Sequence, residues 1–310
     1  MVQEKFRLIT RSDFDGLVSA VLLKHIGLIE DVLFVHPKDM QDEKIAVTDK
    51  DITTNLPYAP GVHIAFDHHA SETKRNKEGI KSHIIVPSAP SAARVVWEYY
   101  GGHRAFPNAW DDMMAAVDKG DSAQFNMAEV MDPQGWDLLN FIMDARTGLG
   151  RFREFRISNY DLMMQLIDLC SKVGIDEIMQ NDDVKERVKL YLEQQELFKA
   201  QIQRCATVHQ NLVVLDLREE ETIYAGNRFT IYAIFPQCNI SIHAMWGFRK
   251  QNIVFATGKS IFDRSSKTNV GDLMLKYNGG GHDAAGTCQI DLDDANNVLQ
   301  ELIGAITADG

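Results

Sequence analysis

The sequence is short of cysteine, of long apolar runs and of positive charge, and each shortage excludes a class of protein. Only four cysteines occur, Cys170, Cys205, Cys238 and Cys288, and no two form a CxxC pair. That argues against a structural zinc site and a disulfide scaffold, and fits a reducing compartment. No apolar stretch approaches the roughly 18–20 residues that a membrane span needs. The start, MVQEKFRLIT, lacks the basic and apolar regions of a signal peptide. The expectation is a cytoplasmic protein with no membrane partner. Lys and Arg number 32 against 44 Asp and Glu, a net charge of −12. A surface that grips duplex DNA needs a dense field of positive charge. Duplex DNA is therefore not expected as a partner, while a local basic pocket for a small anion is still allowed.

What is present is enough for a folded, two-domain chain. It has 310 residues, of which 45% are hydrophobic and 25% charged, and domains run to roughly 150 residues. The first third alternates short apolar strands (6–10, 32–36, 62–66, 83–86, and a blurred one near 44–54) with helical stretches at 16–25, 90–100 and 108–118. Such alternation predicts a doubly wound, mostly parallel α/β sheet, with functional groups collecting at the C-terminal strand edge. From about 126 to 206 the apolar spacing is helical. From 207 the segments LVVLDL, RFTIYAIF, ISIHAMW and IVFAT read as β-rich, followed by helices near 269–277 and 293–306. The expected division is 1–185, a connecting helix at 186–206, and a smaller α/β domain at 207–310.

Acidic and imidazole groups stand at the predicted element ends. Arg11-Ser12-Asp13-Phe14-Asp15-Gly16 follows the first strand, Asp67-His68-His69 follows the fourth, and Asp118-Lys119-Gly120-Asp121 ends a helix. Carboxylates and imidazoles without thiols suit Mn²⁺, Mg²⁺, Fe²⁺ or Zn²⁺. Each piece alone has an ordinary structural explanation: a turn, a half-buried histidine pair, a polar helix end. Their combination, in order and each at an element end, is what points to a metal centre.

The motifs resemble those of the DHH phosphoesterase family, named for the triplet seen here as Asp67-His68-His69. The family's first motif is matched by Arg11 to Gly16. Its C-terminal GGGHxxAAG signature is approached, with one residue fewer between the histidine and the alanine pair, by Gly279-Gly280-Gly281-His282-Asp283-Ala284-Ala285-Gly286. The two-domain form resembles the oligoribonuclease and exopolyphosphatase-related branch. The resemblance implies a catalytic domain, and across a cleft a substrate-binding domain. It implies one or two Mn²⁺ ions, with Mg²⁺ an option, held by Asp13, Asp15, Asp67, His68 and Asp118. His68, His69 and Arg11 would act on the reacting phosphate. Arg264, His282 and the backbone N–H groups of Gly279, Gly280 and Gly281, a nest-like cradle, would hold the substrate. Between Met245 and His282 six Lys and Arg face two acids, a local excess that suits this role.

Two positions depart from the family pattern. Arg11 replaces a ligating His or Asp, and Arg cannot ligate a metal. The second motif normally supplies an Asp; here Asn55 in Thr53-Thr54-Asn55-Leu56-Pro57 is the best candidate, with Asp49 and Asp51 as alternatives. The site could hold one ion, could borrow His36 or Asp39, or could have lost hydrolysis and bind a phosphorylated ligand. The favoured expectation is a metal-dependent phosphoesterase acting on a short oligoribonucleotide, a dinucleotide, a phosphorylated nucleoside or polyphosphate. Its partners would be that small substrate and short single-stranded RNA, with a homodimer left open.

Overall fold

A computed structural model describes residues 4–69, 72–73, 80–152 and 154–310. The chain divides into two compact units: Met1–Phe125 with Pro133–Leu190, and Asn126–Asp132 with Tyr191–Gly310. The boundary falls within a long helix, Asp182–Cys205. The segment 126–132, expected in the first domain, counts with the second unit.

Unit 1 is built on five strands: β1 (Phe6–Arg11), β2 (Ile29–Val35), β3 (Asp51–Thr54), β4 (Ile64–Asp67) and β5 (His83–Ile85). Their order is β2-β1-β3-β4-β5, and every pair is parallel. The sequence reason is the continuous apolar character of β1, in which successive Leu8 and Ile9 are both wholly buried. A strand covered on both faces has no polar alternation. One covering element is α1 (Phe14–His25), which packs on α3 (Ala92–Tyr99), α4 (Asp111–Asp121) and α7 (Asn159–Lys172). Ile9 clusters instead with Val35, Leu56 and Met40 of the short α2 (Pro37–Gln41). The α/β expectation holds, and the strand order places a topological switch between β1 and β3. Ligand sites in doubly wound sheets open at such a switch, outside the carboxyl ends of the strands.

Helices α5 (Met127–Met131), α6 (Gly135–Met143), α8 (Ile175–Ile178) and α9 (Asp182–Cys205) follow. Unit 2 then carries a six-stranded sheet of β6 (Ala206–His209), β7 (Leu212–Asp216), β8 (Ile240–Trp246), β9 (Ile253–Lys259), β10 (Gly280–His282) and β11 (Ala285–Ile290), in the order β10-β11-β9-β8-β7-β6. Only β7 and β8 pair in parallel. Alternate residues of these strands form the core with α11 (Val270–Leu275) and α12 (Ala295–Asp309).

One local expectation is corrected. RFTIYAIF, read as β-rich, contains helix α10 (Thr230–Ile234). Asn227 starts it: its side-chain oxygen accepts from Phe229 N and its carbonyl from Thr230 N, both at 3.0 Å. The glycine run leads into the edge strand β10, with Gly281 opposite Gly286. A Cβ at Gly279 would strike the Thr287 carbonyl, and one at Gly281 the Ala285 carbonyl. Close backbone approach therefore explains these glycines.

Candidate metal centre

The site lies at the carboxyl ends of β1, β3 and β4, and each functional side chain is placed by a strand end or helix end. β1 finishes at Arg11, and the chain turns into α1 with Asp13 as its N-cap. Asp13 Oδ1 accepts from Gly16 N at 3.0 Å, satisfying one of the free amides of the first turn. Asp13 Oδ2 lies 2.9 Å from Arg11 Nε. Asn55 follows β3 in the left-handed region, at φ 55°, a conformation that Asn tolerates better than most residues. Its Nδ2 lies 3.4 Å from both Asp13 oxygens. So Asn55 occupies the end of β3. Asp51 stands at the other end of that strand, in an ion pair with Arg7 at 2.7 Å.

Asp15, two positions further than Asp13 from the strand, points into the interior. Its two oxygens accept from Ala92 N at 2.9 Å and Ala93 N at 2.7 Å, the first amides of α3. Asp67 ends β4 wholly buried. Its Oδ1 accepts from the backbone N–H of His68 at 2.8 Å and lies 2.7 Å from His69 Nδ1. Its Oδ2 is buried with no hydrogen-bond partner among the described residues, as is Asn55 Oδ1.

The side chains that converge are Asp15, His68 and Asp121, whose ligating atoms lie within 4.8 Å of one another. His68 Nδ1 lies 3.1 Å from the Ala89 carbonyl. With Nδ1–H donating there, the neutral ring carries its lone pair on Nε2, which faces Asp121 Oδ2 at 2.8 Å. That short approach lacks hydrogen-bond alignment at Nε2. Two acceptors aimed at one point suit a shared cation, and a carbonyl fixing the tautomer is the usual support of a metal-binding imidazole.

The electrostatics agree with the geometry. Burial raises Asp15 well above the carboxylate range, and the Asp121 charge adds to it. Burial likewise raises Asp13, against the pull of Arg11. Burial opposes the imidazolium of His68, but Asp121 and Asp15 push it up to about 9. Burial works against the charge on Asp121 too, yet His68 holds it below its ordinary value. Buried carboxylates of this kind need a cation to stay ionised together. The oxygen-and-imidazole donor set and the orphaned Asp67 oxygen fit a hard or borderline divalent ion such as Mn²⁺ or Mg²⁺.

Asp118, the expected ligand on α4, is directed elsewhere. It accepts from Ser91 Oγ at 2.7 Å and Arg94 Nε at 2.9 Å, and Asp121, one helical turn on, takes the place beside His68. His36 is the N-cap of α2, its Nδ1 accepting from Lys38 N, and Asp39 pairs with Lys44. Neither belongs to the convergent group. Arg146 was not foreseen. Its guanidinium binds Asp144 at 2.7 Å, and its charge reaches Asp13 and Asp121. No motif marks it, because α6 lies between it and the acidic residues in sequence. In unit 2, Arg264 and His282 are exposed.

No family model matches the chain, and neither does any curated protein sequence. Among solved structures it is similar to the pGpG-specific phosphodiesterase PggH of Vibrio cholerae, with 67% identity over 99% of this chain and 100% of that one, at a TM-score of 0.86. The fold is shared with RecJ of Thermus thermophilus in complex with Mn²⁺, at 13% identity over 98% of this chain and 52% of that one, TM-score 0.56. It is shared also with CDC45 of Entamoeba histolytica, at 9% identity over 98% and 95%, TM-score 0.56. A site at the switch of a parallel sheet and two thirds of all residues in common with PggH over its whole length lead to one conclusion: this chain belongs to the family of the pGpG-specific phosphodiesterase PggH.

Proposed function

We propose that this chain is a divalent-metal-dependent phosphodiesterase that hydrolyses pGpG, a linear diguanylate, to two molecules of GMP. The observation that carries the reading is the full-length, 67% identity with a pGpG-specific phosphodiesterase. The convergence of Asp15, His68 and Asp121 supports it chemically. The alternative of a binding protein that has lost turnover finds no support in that relative.

In the reaction a water attacks phosphorus, the P–O3′ bond breaks, one proton leaves the water and one arrives on the 3′-oxygen. Asp15, His68 and Asp121 would hold the divalent ion, which polarises the phosphoryl oxygens and makes water a stronger nucleophile near neutral pH. Ala92 and Ala93 fix the Asp15 carboxylate by two amide hydrogen bonds, so its position is set before substrate arrives. His69 is oriented by Asp67, with Nδ1 at 2.7 Å from Oδ1. Its ring would hand a proton to the leaving oxygen, the Asp67 carboxylate stabilising the imidazolium. Arg264, His282 and the edge strand Gly280–His282 are proposed to bind the nucleotide from unit 2.

The test is turnover of pGpG with Mn²⁺ and with Mg²⁺, followed as release of GMP, beside a longer oligoribonucleotide and polyphosphate. Hydrolysis of pGpG well above the other two, lost in H69A and slowed with a raised KM in H282A, is the expected result. An enzyme inert toward pGpG with either ion, in a folded preparation, would refute the reading.

A further inference from the structure

The positions at which this chain departs from its family pattern stand side by side in the structure, around one carboxylate. A second ion beside Asp15, His68 and Asp121 would draw on Asp13 as well as on Asp67, and Asp13 is already committed. One oxygen accepts from Gly16 N at 3.0 Å, and the other meets the Arg11 guanidinium at 2.9 Å. Asn55 turns its amide NH₂ toward both oxygens at 3.4 Å. All three neighbours are donors, and one carries a full positive charge. Turning the Asn55 amide over would set its oxygen against the carboxylate, so the network itself assigns the orientation. Asn55 is 1% exposed and has little freedom to change it.

The charges are consistent with this. Arg11 pairs with Asp13, and the convergent group holds two carboxylates, Asp15 and Asp121, whose charge one divalent cation balances. A second ion would sit against a guanidinium that never gives up its proton, and like charges at such range repel strongly. Arg11 meanwhile keeps 31% of its side chain exposed, at the carboxyl end of β1 where substrate must approach. Its planar fork matches two phosphate oxygens.

We infer that this protein works with a single divalent cation, on Asp15, His68 and Asp121, and that the Arg11 guanidinium supplies at the substrate phosphate the positive charge a second ion would otherwise bring. Asp13 and Asn55 are then positioning residues, which hold Arg11 in place. The phosphate half of the inference rests on the phosphodiesterase reading above; the ion count does not.

The experiment is calorimetric titration of the chelator-stripped, full-length protein with Mn²⁺, then of the Mn²⁺-loaded protein with GMP. Neither step depends on turnover, so an inactive protein would refute the pGpG reading and leave this count readable. The wild type is expected to take one ion. R11H/N55D, which restores two ligand types, is expected to take two. R11A is expected to lose at least 10-fold in GMP affinity, with R11K recovering part of it. If the double variant does not fold, as judged by thermal unfolding, N55D alone is titrated in its place. A wild-type count of two, a restored variant that stays at one, or unchanged GMP affinity in R11A would overturn the inference.

Discussion

Asp118 and Asp121 show how much two similar side chains can differ. They are three residues apart on α4, so they lie on neighbouring faces of one helix, and spacing alone cannot rank them. The partners decide. Asp118 meets Arg94 and Ser91 from α3 and its cap, whereas Asp121 meets His68. D121N is therefore expected to lower Mn²⁺ affinity and activity by 100-fold or more while the fold stays intact. D118N is expected to leave Mn²⁺ affinity within a few-fold and to cost stability, about 1–3 kcal/mol for charged hydrogen bonds lost from a half-buried site. Calorimetric Mn²⁺ titration and urea unfolding of the two variants check this, and equal loss of Mn²⁺ affinity in both would contradict it. The strand and helix ends carrying Asp13, Asp15, Asp67 and His68 were legible because the motif residues sit where apolar periodicity stops. The choice between Asp118 and Asp121, and the presence of Arg146, were not, because both depend on which elements pack together.

At the scale of elements, β1 and α1 carry the site, and Gly16 is what lets them meet so closely. Its backbone is not in the left-handed region; the constraint is space. A Cβ there would fall onto the Arg11 carbonyl, with Thr10 Oγ1 at 2.8 Å. In G16A, α1 must move off the strand end or the strand end must bend. Either displaces Asp13 and Asp15, since both begin that helix. Overpacking a rigid junction costs about 1–3 kcal/mol, so a urea midpoint lowered by that amount, together with weakened Mn²⁺ binding, is expected. A variant with wild-type stability and Mn²⁺ affinity would show that the junction is slack. The elements themselves were readable where apolar runs were strong, as in β1, β2, β7 and β9. They were misread where composition and context disagree. Phe229, Thr230, Ile231 and Tyr232 are strand formers by type, yet the turn at Asn227 starts a helix. The absence of side chains at Gly279 and Gly281 lets the chain there lie against β11, a packing constraint that composition alone does not show.

For the whole molecule, the acid excess that argued against a duplex-DNA surface becomes a linkage between metal, pH and stability. Asp15 and Asp13 have folded-state values raised by burial, so the stripped protein binds more protons folded than unfolded above the ordinary carboxylate range near 4. His68, up at about 9, adds stability that is complete below the unfolded value near 6.5 and is lost as pH rises through 9. His68 makes the stripped protein less stable as pH rises from 6.5 to 9, and the raised carboxylates act in the same direction as pH rises above about 4. Asp121, held low, works in the opposite direction, but only as pH falls through its own lowered range. A divalent ion binds the deprotonated forms of these groups, so protons compete with it. It stabilises by RT ln(1 + [M]/Kd), about 2.7 kcal/mol at one hundred times Kd. The rise in Tm on adding Mn²⁺ should therefore be larger at pH 8.5 than at pH 6. It should be confined to the unfolding of unit 1 and be absent in D121N. Scanning fluorimetry with chelator and with Mn²⁺ at the two pH values reads this directly. An equal Mn²⁺-induced shift at both would mean that the buried carboxylates and His68 do not titrate with metal binding. A shift that survives D121N would mean that the ion sits somewhere other than on Asp15, His68 and Asp121.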